Sequence, residues 1–114
     1  ADLYRRIGYV EPWVGYLAVA AGTAVGGGAF VGPPRENRVE IAYYTLEEFE
    51  GRGFATQTAA GLVDIARRSL PGIVIAAFTL PEKNASTRIL QRLGFDLVGH
   101  ARDPDAGDVW EWRA

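Results

Sequence analysis

The sequence predicts an α/β fold, of the α+β type with a mixed sheet. Its strands and helices follow the order β-β-β-α-β-α-β-β. Three stretches carry this prediction. Residues 38–46 alternate along the chain and are rich in β-branched and aromatic side chains, as in a strand. Residues 55–66 repeat apolar side chains at helical spacing, and residues 73–78 form a continuous apolar run typical of a strand buried on both faces. The order predicts a mixed sheet with helices on its faces.

The first third of the chain predicts a helix end and a strand pair. Residues 1–8 are consistent with the tail of a helix. From residue 14 to residue 34 no side chain is charged, but six glycines and a single leucine argue against a membrane span. Two strands over residues 14–20 and 25–31, joined by a glycine turn, explain the segment better. No signal-peptide pattern precedes it.

The remaining elements are marked by their ends. Pro71 and Gly72 stop the helix that follows the third strand. Asn84 or Ser86 can cap the start of the next helix, and Gly94 ends it. Two closing antiparallel strands, around a turn in residues 103–107, are predicted over residues 95–100 and 109–112.

Composition narrows the classes of function. The length of 114 residues predicts a single domain, residues 1–114. Without cysteine the chain has no disulfide, thiol nucleophile or cysteine zinc site, and one histidine supplies no metal cluster, so we expect no metal. The net charge of −2 gives no reason to expect nucleic-acid binding. We expect a soluble, cytoplasmic protein with no membrane partner.

The most informative segment, residues 50–56, joins the third strand to the first helix. The first N–H groups of a helix have no partner inside it, and the helix dipole adds partial positive charge there. Because Gly51 and Gly53 carry no Cβ, the backbone can approach a ligand closely. The segment therefore predicts a pyrophosphate site. No lysine follows Gly53, which argues against a P-loop, and the third glycine of a dinucleotide fingerprint is missing.

The segment resembles the acetyl-coenzyme A loop of the GNAT acetyltransferase superfamily, Gln/Arg-x-x-Gly-x-Gly/Ala. Gly53, Phe54 and Ala55 fit its last half, whereas Glu50 stands at the Gln/Arg position. A carboxylate there should repel a pyrophosphate unless Arg52 or Arg35 compensates. The similarity covers most of the chain from Pro12 onward. Four segments, residues 26–34, 39–44, 81–95 and 109–112, resemble the corresponding segments of the branch related to ribosomal-protein N-acetyltransferases.

The resemblance implies a GNAT-like fold that uses acetyl-CoA as cosubstrate and transfers its acetyl group to a primary amine by direct attack. The branch suggests a protein N-terminus as the acceptor. The main chain of Tyr43, Tyr44 and Thr45 would pair with pantetheine and point an N–H at the thioester carbonyl. The remaining residues expected at the coenzyme are Glu50, Gly51, Arg52, Gly53, Phe54, Ala55, Thr56 and Asn84.

Glu40 is the candidate general base, because an acidic residue contradicts the apolar trend of its strand. An outward-facing charge on a half-exposed strand explains it equally well. Ser86 or Tyr44 could protonate the leaving thiolate, although a tyrosine here more often packs. For Asn84 the preferred interpretation is a helix N-cap, and the alternative is a contact with the coenzyme. The tryptophans at 110 and 112 fit a core or an interface, which leaves a homodimer open.

Relatives begin with a strand and two helices that form one wall of the acceptor site. In this sequence at most a helical remnant precedes the first predicted strand, which matches the second strand of the relatives. We expect either a trimmed or naturally short member of the superfamily, or a partner that supplies the wall. Two alternatives to an acetyltransferase therefore stay open. One is a noncatalytic or truncated acyl-CoA-binding module, and the other is an interaction domain whose glycine loop is only a turn.

Overall fold

The computed structural model describes residues 12–114. The helix tail expected within residues 1–8 lies outside the described residues. Between residues 12 and 114 the strands and helices follow the predicted order, with one short 3-10 turn, Glu47–Phe49, after the third strand. The strands are β1 (Gly15–Ala20), β2 (Thr23–Phe30), β3 (Arg38–Thr45), β4 (Val74–Thr79), β5 (Asp96–Asp103) and β6 (Gly107–Arg113), and the helices are α1 (Phe54–Ser69) and α2 (Ala85–Arg92).

The strands form one mixed sheet in the order β1-β2-β3-β4-β6-β5. Among the strands of residues 12–114, only β3 and β4, which α1 connects, are parallel. The turn between β1 and β2 places Ala21 and Gly22 at positive φ, 50° and 80°, as the glycine turn predicts. In the β5–β6 turn, Asp103 Oδ1 accepts the N–H groups of Asp105 and Ala106 at 2.8 and 2.9 Å. Local turn chemistry thus sets both hairpins.

Both described helices pack on the same face of the sheet, here called the helix face. Strand register places Phe30, Ile41, Ile75 and Trp112 on this face. They share one buried cluster with side chains of both helices, so the core lies between this face and the helices. Glu40, Ala42 and Tyr44 alternate onto the other side, here called the opposite face. The helix residues of the cluster are Leu62, Val63, Ala66 and Leu90.

Glycines in β2 allow α1 to lie close to the sheet. A Cβ on Gly28 would stand 2.8 Å from Leu62 Cδ1 and 2.9 Å from Thr58 Cγ2, both on α1. On the opposite face, a Cβ on Gly27 would stand 3.1 Å from the Tyr44 ring. These distances are shorter than van der Waals contact, so a side chain at either position would force its neighbours to shift.

The ladder between β3 and β4 is short. It pairs Arg38 with Val74, Val39 with Ile75 and Glu40 with Ala76, and it ends there. Beyond Glu40, β3 remains paired with β2 as far as Thr45. A wedge-shaped gap therefore opens between β3 and β4 from Glu40 onward.

Gly28→Ala should destabilise the fold by about 1–3 kcal/mol, because its methyl group crowds the ends of the Leu62 and Thr58 side chains on α1. The matched control is Gly61→Ala in α1, where a Cβ meets nothing within 4 Å. It should stabilise the protein by about 0.5–1 kcal/mol, because alanine loses less entropy in a helix. Urea unfolding measures both, and a shift of the two midpoints in the same direction contradicts this account of β2.

Candidate functional site

A cavity of about 590 Å³ opens on the helix face where three elements meet. These are the end of β3, the segment from the 3-10 turn to the first turn of α1, and one side of α2. The cavity is lined by Tyr43, Tyr44, Thr45, Phe49, Glu50, Gly51, Gly53, Phe54, Ala55, Thr56, Ala85, Ser86, Arg88, Ile89 and Arg92.

The start of α1 presents free amides to this cavity. Gly53 is the N-cap, in the left-handed conformation with φ 83°, and it has no side chain to cap the helix. The first helical bond runs from Gln57 N–H to the Gly53 carbonyl, at 3.1 Å. Within residues 12–114 the N–H groups of Phe54, Ala55 and Thr56 therefore find no acceptor. Three free donors and the helix dipole make this end of α1 suited to an anion.

The two loop glycines are required by backbone conformation. Gly51 has φ 79° and Gly53 has φ 83°, a region that L side chains rarely adopt. A Cβ at either position would meet no protein atom within 4 Å. The space beside both glycines is therefore open on the cavity side, as close approach of a ligand requires.

The end of β3 contributes unpaired main chain. Leu46 N–H donates to the Val25 carbonyl at 2.7 Å, and the Glu40 carbonyl accepts Val31 N–H at 2.9 Å. Backbone groups of a strand alternate in direction, so the even-numbered residues of β3 bond to β2. The N–H and C=O groups of Tyr43 and Thr45 consequently turn toward the gap beside β4. The exposed edge is thus part of the cavity.

The Thr45 hydroxyl is buried in the cavity lining and has no hydrogen-bond partner among the described residues. A buried hydroxyl without a partner is unfavourable by about 1–3 kcal/mol. Such a group at a cavity is satisfied by a water molecule or by a polar atom of a ligand. Beside it, burial raises the pKa of Tyr43 to about 12, so this phenol stays protonated and can only donate or accept a hydrogen bond.

Glu40 is the last β3 residue paired with β4, and its side chain lies on the opposite face at the start of the gap. Burial raises the pKa of Glu40 above its ordinary value of 4.5, and the carboxylates of Asp103 and Glu111 raise it further. Arg38 lowers it, but the Arg38 guanidinium also donates to Glu111 at 3.1 Å. Glu111 accepts a second bond, 2.6 Å, from Arg113. Glu40 is therefore a half-buried carboxyl made more basic by its surroundings.

The three predicted catalytic side chains do not converge. Tyr44 and Ser86 both line the cavity, whereas Glu40 does not. Strand alternation turns the side chains of Glu40 and Tyr44 to the opposite face, while Ser86 lies on the helix face. The Tyr44 ring lies over Gly27 and is 54% exposed. Asn84 is the N-cap of α2, as predicted. Its Oδ1 accepts Thr87 N–H at 3.1 Å, and Thr87 Oγ1 accepts Asn84 N–H at 3.0 Å.

One sequence expectation is wrong, and two residues were missed. Arg35 forms a bridge with Arg38 at the start of β3, about 20 Å from the loop, and cannot compensate Glu50. The Arg52 guanidinium lies over the Phe49 ring, 5.7 Å from its centre. The cations that line the cavity are instead Arg88 and Arg92. They share a side of α2 with Ala85 and Ile89, a helical spacing that is visible in the sequence.

Two features of the described residues bear on ligand class. In residues 12–114, no cluster of three or more histidine, cysteine or acidic side chains could hold a metal ion. Across the same range, neither helix has the length and hydrophobicity needed to cross a membrane.

Comparison with known proteins adds the family. Residues 3–96, most of the chain, match the family described as "Acetyltransferase (GNAT) domain". No protein with a curated description matches the chain.

Solved structures share the fold. An acetyltransferase of the GNAT family from Bacillus anthracis superposes with a TM-score of 0.72 at 18% identity, over 84% of this chain and 61% of that one. A ribosomal-protein-alanine N-acetyltransferase from Brucella melitensis superposes with a TM-score of 0.77 at 20% identity, over 99% of this chain and 72% of that one. The protein yncA from Salmonella typhimurium, solved with its cofactor acetyl-CoA, superposes with a TM-score of 0.74 at 22% identity. The match covers 99% of this chain and 68% of that one. This chain thus spans less than two thirds of the first of these proteins.

Thr45→Val should stabilise the ligand-free protein by about 1 kcal/mol, because it removes a buried hydroxyl that has no partner. Thr79→Val is the matched control. The Thr79 hydroxyl accepts Trp112 Nε1 at 3.0 Å and donates to the Leu80 carbonyl at 3.0 Å, so its loss should destabilise by about 1–3 kcal/mol. Thermal and urea unfolding measure both. Destabilisation by Thr45→Val would show that its hydroxyl already has a partner.

Proposed function

This chain belongs to the GNAT acetyltransferase family, and we propose that it is an N-acetyltransferase that moves the acetyl group of acetyl-CoA to a primary amine by direct attack. The observation that carries the proposal is the uncapped start of α1, where the free amides of Phe54, Ala55 and Thr56 line the cavity. Main-chain donors at a helix start suit a diphosphate. In this proposal the 114 residues form one domain.

The cavity offers a partner to each part of acetyl-CoA. The amides at the start of α1 would hold the diphosphate. The free edge of β3 at Tyr43 and Thr45 would pair with the amides of pantetheine, as a strand edge pairs with an extended peptide. The unpartnered Thr45 hydroxyl supports a polar contact at the same place. The gap between β3 and β4 gives the thioester a route from the helix face toward Glu40.

The proposed chemistry follows from this arrangement. Glu40, directly or through one water, takes a proton from the acceptor ammonium and leaves a neutral amine. The amine nitrogen attacks the thioester carbonyl, and a main-chain N–H of β3 stabilises the oxyanion. The attacking nitrogen then gives up its surplus proton, the C–S bond breaks, and the thiolate of CoA takes up a proton. Ser86 is the candidate acid on the cavity side, whereas Tyr44 would have to act from the opposite face.

A protein N-terminus is the acceptor that we propose. Its α-amine has a pKa of about 8, against about 10.4 for lysine, so a carboxylate base deprotonates it more readily. The fold likeness to a ribosomal-protein-alanine N-acetyltransferase supports this choice.

A noncatalytic acyl-CoA-binding module is the second candidate. It is favoured by one observation, that Glu40 lies outside the cavity lining, whereas the main-chain donors suited to an anion lie within it. Release of free CoA over time with a panel of peptides distinguishes the two candidates, because a module binds acetyl-CoA without consuming it.

Gly53→Ala should weaken acetyl-CoA binding by roughly tenfold or more, because it distorts the left-handed N-cap that aims the amides. Gly72→Ala is the matched control, since Gly72 has φ 84° and lies outside the cavity lining. Both variants should lose about 1–2 kcal/mol of stability. Only the first should lose affinity in calorimetric titration, and equal affinities would remove the loop from the site.

Glu40→Gln should lower kcat by about 100-fold or more and leave the Kd of acetyl-CoA unchanged, because a neutral amide cannot accept the proton. In the wild type, kcat should fall as pH drops through the raised pKa of Glu40, and the variant should lack this dependence. The control is Glu48→Gln, an exposed residue of the 3-10 turn. Turnover by Glu40→Gln within twofold of the wild type removes Glu40 from the mechanism.

A further inference from the structure

Two arginines in the cavity are not used by the proposed chemistry. Arg88 and Arg92 lie one turn apart on α2, on the side that lines the cavity. Within residues 12–114 neither takes part in an ion pair, although four other arginines do. The positive charge of Arg92, in the last turn of α2, interacts favourably with the helix dipole. Arg88 lies too far from the helix end for that interaction. Two adjacent, unpaired guanidinium groups beside a cavity indicate an anionic ligand.

The charges around the cavity lie on two walls. On one wall the amides of α1 are main-chain donors, and Glu50 adds a carboxylate. On the other wall α2 presents the two guanidinium groups. The N-terminal amides of α2 are a weaker anion site than those of α1, since the reciprocal bonds of Asn84 and Thr87 cap that end. The cavity therefore has two separate electropositive features, one main-chain and one side-chain.

Coenzyme A carries its negative charge in two places, the diphosphate and the phosphate on the 3′ oxygen of its ribose. We propose that Arg88 and Arg92 bind the 3′-phosphate and make this chain selective for CoA over its 3′-dephospho form. This inference rests on the proposed function, since it assumes that the α1 amides hold the diphosphate. A terminal phosphate offers three oxygens, and the planar guanidinium forks of two arginines one turn apart match them.

The test measures the Kd of CoA and of 3′-dephospho-CoA by calorimetry at low ionic strength. The wild type should bind CoA roughly tenfold more tightly, the effect expected for two exposed charge pairs. The double variant Arg88→Gln/Arg92→Gln should bind both ligands equally, with the wild-type Kd for 3′-dephospho-CoA. Each single variant should lose part of the preference. The matched control is Arg67→Gln in the last turn of α1, outside the cavity lining, and it should keep the full preference.

Three results would overturn the inference. Equal weakening of both ligands in the double variant would place the guanidinium groups on the adenine or the diphosphate. Equal affinities of the wild type for both ligands would show that the 3′-phosphate is not recognised, while the proposed function stands. No binding of either ligand by the folded wild type would remove the proposed function together with this inference. Circular dichroism verifies the fold of each variant, and all three arginine side chains are exposed, so the substitutions leave the core intact.

Discussion

The early end of the β3–β4 ladder is the constraint on which the site depends. After Glu40 and Ala76 the two parallel strands separate, while β3 keeps its antiparallel bonds to β2. One edge of β3 is therefore fixed, and its other edge holds main-chain groups without a strand partner. Backbone groups in that position are tolerated only where water or a ligand can satisfy them. The separation of the strands thus creates both the gap and the free edge of β3 beside it.

Glycines meet two different requirements around this gap. Gly28 is needed for space, because a Cβ there would crowd the side chains of Leu62 and Thr58 on α1. Gly53 is needed for conformation, because the chain enters α1 through a left-handed residue. The first sets the distance of α1 from the sheet, and the second leaves the end of α1 without a cap. Together they place free amides beside the end of β3.

The sequence predicts the order of elements because each follows from local pattern. The helical repeat before Pro71, the apolar run of β4 and the cap at Asn84 need no knowledge of distant contacts. The site is harder to predict because it depends on where the chain turns in space and on which side of each element faces the cavity. Arg35 is near the loop in sequence but at the far end of β3 in space. Arg88 and Arg92 reach the cavity only because α2 turns their side of the helix toward it, which tertiary packing decides.

In the proposed mechanism, the two faces of the sheet separate coenzyme binding from proton transfer. Main-chain amides and two arginines lie on the helix face, whereas the carboxyl of Glu40 lies on the opposite face among charged neighbours. Arg38 is the cation that most directly opposes the rise in the pKa of Glu40. Because Glu111 also binds Arg38 and adds its own negative charge, this opposition is weakened. Glu111 thereby keeps the pKa of Glu40 raised without lining the cavity, so in the proposed mechanism the strength of the base and the affinity for acetyl-CoA can vary independently.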